Sequence, residues 1–273
     1  MTLNCNGTLL DLSTPKVMGV LNLTPDSFFD GGAFQLEEKI IAQVTKMIAE
    51  GAVIIDVGAY SSKPNAEDVS VAEEKKRLLP VVKLLVKEFP NLVLSIDTFR
   101  AEVANSAINE GAAIVNDISA GGLDATMFKT VADLKVPYIM MHMRGNPKTM
   151  QTLTNYENLT QEVIYYFSEK IKEARDLGIS DLVVDPGFGF AKTREQNFEL
   201  LNKLELLSIL DAPLLAGVSR KSMIYKTLNT TPQEALNGTS VLNTIALQKG
   251  AKILRVHDVK EAVEAVKLVG ELK

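Results

Sequence analysis

Short apolar runs recur along the whole chain, and each of them ends in, or is followed by, a polar residue. Runs of about four to eight apolar residues are typical of strands buried on both faces of a sheet. Functional residues of a (β/α)8 barrel gather at the carboxyl ends of its strands, so eight such runs predict a barrel with its chemistry at one rim. In chain order the polar residues are Asn22, Asp56, Asp97, Asn116, His142, Asp185, the group Ser219-Arg220-Lys221, and Arg255 with His257.

Amphipathic segments lie between these runs, with apolar residues at the three- and four-residue spacing of a helix. A glycine follows several of them, because the left-handed backbone angles that often end a helix cost glycine little. Strands that alternate with helices predict a parallel sheet. The predicted helices span residues 37–50, 71–89, 157–177, 196–207, 232–248 and 259–272, and the glycines are Gly51, Gly111, Gly178 and Gly250.

The fold class predicted from this alternation is α/β, a single (β/α)8 TIM barrel that comprises residues 1–273 as one domain. Ahead of the first long run, residues 8–12 are expected to pair with residues 2–5 as a short N-terminal hairpin that closes the base of the barrel. A doubly wound open sheet is the alternative architecture. The chain has no Gly-x-Gly-x-x-Gly after its first strand, which a dinucleotide site on such a sheet usually needs.

Composition narrows the class of protein further. A length of 273 residues with 46% hydrophobic residues suits one barrel, and a net charge of -5 gives no electrostatic footprint for nucleic acid. No apolar stretch approaches the roughly 18 residues of a membrane span, and no signal peptide is read. The single cysteine, Cys5, suits a reducing compartment, so a cytoplasmic enzyme is expected.

The segment that follows the first strand, residues 22–32, is rich in oxygen-bearing side chains and turn-forming residues. It is longer than a tight connection between strand and helix needs, and long structured loops usually serve a function. The alternative is a surface loop in which Asp26 or Ser27 only satisfies backbone donors. We favour a functional loop.

Three polar residues at strand ends form the most informative set: Asp97, Asn116 and Asp185. A carboxylate accepts from two adjacent N–H groups, so these side chains suit a ring with an amino-amidine edge, such as a pterin or a guanine. Taken singly, Asp97 could cap a helix and Asp185 could form a turn. Together the three favour a ligand.

Cationic groups follow the last two strands. Residues 217–222 end one strand and open a helix, whose N-terminus would attract an anion beside Lys221. Arg255 and His257 are two residues apart on one side of a strand, where barrels often hold phosphate. Alternatives are a Schiff-base nucleophile for Lys221 and a helix-terminal role for His257. His142, alone among methionines, is interpreted as a packed structural residue, and no cluster has transition-metal spacing.

Several motifs in the same order resemble those of the dihydropteroate synthases over essentially the whole chain. They are the stretch Met18-Gly19-Val20-Leu21-Asn22-Leu23-Thr24-Pro25-Asp26-Ser27-Phe28, Gly58-Ala59-Tyr60-Ser61-Ser62-Lys63-Pro64, Ser95-Ile96-Asp97-Thr98, Val115-Asn116-Asp117-Ile118, Met141-His142-Met143-Arg144-Gly145, Asp185-Pro186-Gly187-Phe188-Gly189-Phe190, Ser219-Arg220-Lys221-Ser222 and Arg255-Val256-His257.

The resemblance implies a reaction of folate synthesis that sulfonamides inhibit. In it, 6-hydroxymethyl-7,8-dihydropterin pyrophosphate and para-aminobenzoate give 7,8-dihydropteroate and pyrophosphate. A homodimer and a Mg2+ ion that bridges the pyrophosphate are also implied. In this sequence the pterin would be held by Asp97, Asn116, Asp185 and Lys221. The pyrophosphate would be held by Asn22, Arg255 and His257, with Asn22 as metal ligand. The aminobenzoate would be held by Phe28, Ser62, Pro64, Phe190 and Ser222, and the substrate loops would be completed by Thr24, Asp26, Ser61 and Lys63.

The chemistry expected at this rim is a dissociative substitution at the pterin methylene. Asp97, Asp185, Lys221, Arg255 and His257 are the expected catalytic residues. Cations and magnesium would neutralise the departing pyrophosphate, and carboxylates would ease the positive charge left on carbon. A neutral aromatic amine needs no strong base, which agrees with the absence of a nucleophile–base pair in the sequence.

One departure from the resemblance concerns the second loop, which reads Ser62-Lys63-Pro64-Asn65 where the family usually has Ser/Thr-Arg-Pro-Gly. Lysine lacks the planar fork of arginine. Lys63 and Asn65 therefore leave a weakened pterin-binding paralogue as one alternative. A second alternative is a methyltetrahydrofolate-dependent methyltransferase, which shares the barrel and the set Asp97, Asn116 and Asp185 but would not need Arg255-Val256-His257. A Schiff-base aldolase on Lys221 is the third.

Overall fold

A computed structural model of the chain describes residues 1–23, 32–60 and 69–272. Eight parallel strands form a closed barrel in the order β10-β3-β4-β5-β6-β7-β8-β9, which confirms the predicted barrel and excludes the open sheet. All eight apolar runs of the sequence are strands. Their bounds are β3 (Lys16–Asn22), β4 (Ile54–Gly58), β5 (Val93–Asp97), β6 (Ile114–Asp117), β7 (Tyr138–Met141), β8 (Leu182–Asp185), β9 (Leu214–Ala216) and β10 (Ala251–Val256).

The first two strands, β1 (Thr2–Cys5) and β2 (Thr8–Asp11), pair antiparallel as the predicted N-terminal hairpin. Leu3, Cys5 and the following Leu12 are buried in one apolar cluster with residues from inside the barrel. The hairpin therefore closes the base of the barrel, as the sequence predicts. Burial raises the pKa of the Cys5 thiol to about 12, so it is not a nucleophile at neutral pH.

Helices surround the barrel and bury their apolar faces against the outward side chains of the strands. None of the helices in the described ranges is long and apolar enough to cross a membrane. Helix bounds are α1 (Gly32–Ala49), α2 (Val71–Glu88), α3 (Ala101–Asn109), α4 (Met127–Leu134), α5 (Leu159–Asp176), α6 (Arg194–Asn202), α7 (Ser222–Tyr225), α8 (Leu236–Gln248) and α9 (Val259–Gly270).

Three of the predicted helices differ from the structure. The first starts at Gly32, five residues before its predicted start at residue 37. The segment 196–207 is split, because α6 ends at Asn202 and the chain continues as a 3-10 helix over Leu204–Leu210. The segment 232–248 starts its helix only at Leu236. Before it, the Glu234 carboxylate accepts hydrogen bonds from Thr230 Oγ1 at 2.7 Å and Thr231 Oγ1 at 3.0 Å, which holds that stretch as a turn.

Side chains inside the barrel fall into two sets, because alternate residues of a strand face the same side. Inward residues nearer the amino ends of the strands are apolar, and we call them the lower set. Those nearer the carboxyl ends are mostly polar, and with Lys221 they form the upper set. The lower set comprises Met18, Ile54, Val93, Ile114, Ile139, Val183, Leu215 and Ile253, and the upper set comprises Asp56, Asp97, Asn116, Asp185, Lys221 and Arg255.

Candidate active site

Arg255 lies at the centre of the upper set, between two carboxylates. Its Nε donates to Asp56 Oδ2 at 2.6 Å, and its Nη2 donates to Asp97 Oδ2 at 2.6 Å. Such charge-assisted bonds are short and strong, so the guanidinium has a fixed orientation. Asp97 packs against Gly58, where an added Cβ would lie 3.1 Å from the Cβ of Asp97. Asp97 therefore faces the interior and does not cap α3, whose cap residue is Arg100.

Asp56 also belongs to this network. The sequence places it on a strand, but it was not predicted to be a site residue. Its Oδ2 accepts from Arg255 and also from Asn116 Nδ2, at 2.9 Å. Its Oδ1 is buried and has no partner among the described residues. Asp56 stands two residues before the end of β4 on the inward side, so period-two alternation from Ile54 was the signal that could have found it.

Asn116 is oriented by Asp56. Its Nδ2 donates to Asp56, and this leaves the amide oxygen as the group that can accept from a ligand. Asn116 lies directly opposite Asp97 in the register of β5 and β6. The structure thus brings Asp97 and Asn116 together, as the sequence predicted.

Asp185 and Lys221 converge on Gly217 at the end of β9. A Cβ added to Gly217 would lie 3.7 Å from Lys221 Nζ and 3.8 Å from Asp185 Oδ2. Lys221 Nζ also donates to the carbonyl of Phe188, and Asp185 Oδ1 accepts from Gly187 N at 2.8 Å. Asp185 therefore belongs both to the site and to the turn that the sequence offered as its alternative.

Burial has opposite effects on the acids and bases of the upper set. It raises the pKa of Asp185, although Lys221 opposes the shift. Burial also raises the pKa of Asp97, and the ion pair with Arg255 opposes it. For Lys221, burial lowers the pKa to about 8, with Asp185 again opposing. Desolvation therefore disfavours every one of these charges, which a bound ligand of complementary charge would reverse.

His257 is exposed at the mouth of the barrel, beside Ser219. Its Nδ1 lies 3.1 Å from Ser219 Oγ, and its backbone N–H donates to the same oxygen at 3.1 Å. Although the residue is open to solvent, partial desolvation and the cations of Arg255 and Arg220 lower the pKa of His257. The ring is therefore neutral at pH 7 without a ligand, and a bound anion would favour its protonation.

The helix after β9 is shorter than the sequence indicated. α7 is a single turn, so its terminus contributes less to anion binding than a full helix would. Ser222 is its first residue, and its side chain is half-buried. The positive charge expected in this region comes instead from Lys221 itself.

His142 does not belong to the rim. Met141 is the inward residue at the end of β7, so the next side chain points outward into the helix layer. The His142 ring lies 4.9 Å from the Tyr166 ring, centroid to centroid, and is only 2% exposed. Burial lowers its pKa well below the usual value. These surroundings fit the interpretation of His142 as a packed structural residue. They do not fit its inclusion among the polar residues at the rim.

An apolar wall borders the upper set on the side of β6, β7 and β8. Phe190 packs on a cluster that contains Met141 and Met143, and Lys221 Nζ lies 5.0 Å from the centre of the Phe190 ring. A cation over a ring face is attracted to it. This wall is suited to a planar aromatic ligand.

Eight of the residues singled out from the sequence lie outside the described residues. Asn22 is described, and it is exposed at the carboxyl end of β3. Among the residues described, no group of three His, Cys, Asp or Glu side chains could hold a metal ion. A single amide oxygen such as that of Asn22 fits only a metal that keeps waters and phosphate oxygens, as Mg2+ does. These eight are Thr24, Asp26, Phe28, Ser61, Ser62, Lys63, Pro64 and Asn65, and Ser27 of the first loop lies outside as well.

Comparison with known proteins identifies relatives over nearly the full length. A family model described as pterin binding enzyme matches residues 18–257. The dihydropteroate synthase of Escherichia coli (strain K12) is 45% identical, over 98% of this chain and 95% of its own.

Two solved structures share the fold of this chain over nearly its full length. A Yersinia pestis dihydropteroate synthase with a sulfonamide drug is 40% identical with a TM-score of 0.93, over 100% of this chain and 99% of its own. The Xanthomonas albilineans enzyme in complex with 7,8-dihydropteroate is 37% identical with a TM-score of 0.89, over 100% and 98%. This chain therefore belongs to the pterin binding enzymes and, among them, to the dihydropteroate synthases.

Proposed function

We propose that this chain condenses 6-hydroxymethyl-7,8-dihydropterin pyrophosphate with para-aminobenzoate to 7,8-dihydropteroate and pyrophosphate, at the upper set of the barrel. The observation that carries the proposal is the convergence of Asp97, Asn116, Asp185, Lys221 and Arg255 inside one closed barrel of this family. Relatives solved with 4-aminobenzoic acid and with 7,8-dihydropteroate support the same two substrates.

Pterin binding would use the carboxylates and the amide. A pterin ring carries adjacent N–H donors, and a carboxylate such as Asp185 can accept from two of them. Lys221 would donate to the ring oxygen, and the Asn116 amide oxygen would accept from a further N–H group. Because burial disfavours the charge on Asp185 and on Lys221, each gains most from a ligand that offers it a hydrogen bond.

Departure of the pyrophosphate would depend on cations. As the bond between the pterin methylene and oxygen breaks, negative charge grows on the pyrophosphate, and Arg255 and His257 would stabilise it. Asp97 and Asp56 fix Arg255, so it needs little reorganisation to do so. The same carboxylates, with Asp185, would ease the positive charge left on the methylene carbon.

Aminobenzoate would then attack as a neutral amine. It forms the new C–N bond with its own lone pair and loses one proton afterwards, so the site needs no strong base. Phe190 would stack on its ring at the apolar wall. Ser222 would meet its carboxylate. Phe28, Ser62 and Pro64 would line the rest of the aminobenzoate pocket, and Thr24, Asp26, Ser61 and Lys63 would complete the substrate loops.

Magnesium is part of this proposal as a partner of the pyrophosphate. Asn22 would hold it through its amide oxygen, and the metal would neutralise charge on the leaving group. We further propose that the enzyme is cytoplasmic and forms a homodimer. The helix layer exposes Tyr165, Leu206 and Ile209, which is compatible with a second copy, and light scattering on the purified protein tests it.

The test of the proposed reaction is an assay with purified protein, magnesium and both substrates, in which dihydropteroate is identified by mass. Product that requires both substrates supports the synthase. Pterin pyrophosphate that binds in calorimetry without giving product contradicts it, and would favour a pterin-binding paralogue changed at Lys63 and Asn65. Omission of magnesium is expected to reduce the rate and to weaken the binding of pyrophosphate.

A further inference from the structure

The turn between β8 and α6 is held from behind by a buried lysine that the proposed reaction does not use. Lys192 is 7% exposed. Its Nζ lies 2.9 Å from His142 Nδ1, 3.0 Å from the Gly187 carbonyl oxygen and 3.0 Å from that of Phe190. An ammonium group has three donors, and these three acceptors use all of them. While Lys192 carries its charge, the ring nitrogen Nδ1 of His142 accepts, and the proton of the neutral ring is then on Nε2.

This arrangement is costly for folding. Among the described residues no carboxylate forms an ion pair with Lys192, whereas most charged groups that proteins bury are paired. Burial lowers the pKa of Lys192 to about 7; the charge of Asp185 opposes the shift, and those of Lys221 and Arg144 add to it. The three hydrogen bonds offset part of this cost, because without the ammonium the two carbonyls and the ring nitrogen would lose their donor.

Two lysines hold the turn from opposite sides. Lys192 binds the carbonyls of Gly187 and Phe190 from the side of the helix layer. Lys221 binds the intervening carbonyl of Phe188 from the side of the site. A pterin that takes a hydrogen bond from Lys221 competes with the Phe188 carbonyl, so the contact on the inner side is exchangeable. The contacts of Lys192 lie away from the ligand and can persist throughout turnover.

The turn also fixes two groups of the site. Gly187 N donates to Asp185 Oδ1 at 2.8 Å, and Gly187 lies so close to the His142 backbone that an added Cβ would lie 2.1 Å from its carbonyl oxygen. Phe190 contributes its ring to the apolar wall. A shift of the turn would therefore move the partner of Asp185 and the ring of Phe190 together.

We propose that Lys192 is a positioning residue for the synthase reaction, which with His142 keeps the turn 186–190 in place while Lys221 exchanges its contact for the substrate. The inference rests on the proposed roles of Asp185 and Phe190. It assigns to a buried lysine outside the binding cavity an effect on the affinity for both substrates.

The first test is Lys192→Met, which keeps the length of the chain and removes the ammonium group. We expect the KM values for pterin pyrophosphate and for para-aminobenzoate to rise at least several-fold, with kcat/KM lowered at least tenfold. The midpoint of urea unfolding is expected to fall only slightly, because the variant removes the desolvation cost of the ammonium while its three acceptors lose their donor. Lys203→Met is the matched control, because Lys203 directly follows α6 and its partly exposed Nζ pairs with Glu199 at 2.8 Å. It is expected to leave all these values unchanged.

A second pair of variants acts on the acceptor of the lysine. In His142→Asn the amide oxygen can replace Nδ1 as the acceptor, whereas His142→Leu removes the acceptor and leaves the ammonium one partner short. We expect the asparagine variant to recover a large part of the KM loss of the leucine variant. This comparison decides the question if Lys192→Met does not fold.

Different results would contradict the positioning role of Lys192 and the proposed function. Wild-type protein that gives no product contradicts the proposed function. If the wild type is active and Lys192→Met has wild-type KM and kcat per folded molecule, the positioning role is overturned. It is equally overturned if the asparagine and leucine variants of His142 are impaired alike, because a role in packing alone would give that result.

Discussion

The lower and upper sets of the barrel interior come from the same strands but have different roles. On β8 the inward residue of the lower set is Val183 and that of the upper set is Asp185, and on β10 the pair is Ile253 and Arg255. The hairpin covers the lower set, which stabilises the folded state by burial, at about 25 cal/mol for each Å² of apolar surface removed from water. The upper set instead holds charges where desolvation opposes them.

This difference separates stability from function along each strand. Burial raises the pKa of Asp185, so the folded carboxyl binds a proton more readily than the unfolded one. Its contribution to the free energy of unfolding is therefore present in acid and is lost as the pH rises through the folded pKa. At neutral pH the charge opposes folding, which is expected where a group serves a ligand.

The largest effect is expected for Arg255→Met. The change removes the proposed cation for pyrophosphate and leaves Asp56 and Asp97 without their partner. Loss of one member of a buried charge pair should lower the free energy of unfolding by about 3–5 kcal/mol. Loss of one electrostatic donor from an active site lowers the rate by about a hundred- to a thousandfold, so kcat/KM per folded molecule should fall by about a thousandfold. Steady-state rates with both substrates measure this. Arg194→Met is the control, because that arginine pairs with Glu195 in the open, and its rates should not change.

Ile139→Ala tests the lower set, where we expect a loss of stability without a loss of activity. Ile139 is fully buried, and its truncation should lower the free energy of unfolding by about 2–5 kcal/mol. Urea unfolding measures the loss. Because the upper set is untouched, kcat/KM per folded molecule should equal that of the wild type, and a large fall in it would mean that the two sets are not separable.

A smaller loss is expected for Asp56→Asn, which weakens the fixing of Arg255 and Asn116. A hydrogen bond to a charged group contributes about 1.5–3 kcal/mol, so kcat/KM should fall by about ten- to a hundredfold. Ser95→Ala is a close control, because Ser95 lies opposite Asp56 in the register of β4 and β5 and its buried Oγ has no partner among the described residues. Equal losses in the two variants would remove Asp56 from the account.

The smallest effect is a dependence on pH that arises from Lys221. Because burial lowers its pKa to about 8, affinity for pterin pyrophosphate should fall by up to about tenfold between pH 7 and pH 9 as the ammonium is lost. Between pH 8 and 10.5 the unfolded lysine binds more protons than the folded one, so the contribution of Lys221 to stability should rise with pH. Lys221→Met should remove both slopes, as calorimetry and urea unfolding at each pH would test.

The strands and the rim could be predicted from the sequence because alternation is a local signal. Asp97, Asn116 and Asp185 each end a run, and the structure brings each of them to the barrel interior. Asp56 was not assigned to the site, because a charge inside a run gives no local sign of its partner on β10. Lys192 resembled an ordinary loop lysine in sequence, since its burial depends on His142, fifty residues away.

Helix ends were harder to predict for a related reason. The apolar spacing continues from α6 into the 3-10 helix over Leu204–Leu210, so periodicity alone does not separate them. The short helices α3 and α4 were not singled out either, since nine and eight residues carry little periodic signal. Tertiary packing decides such boundaries.

The most direct test of the separation between the two sets is the rate of dihydropteroate formation by Asp185→Asn. The change keeps the shape of the side chain and removes the charge that burial disfavours. We predict that kcat/KM falls by about a hundredfold or more, as is typical when an electrostatic group of an active site is lost, while the midpoint of urea unfolding is not lowered. Full turnover by this variant would contradict the account, because the charge at the upper set would then have no part in the reaction.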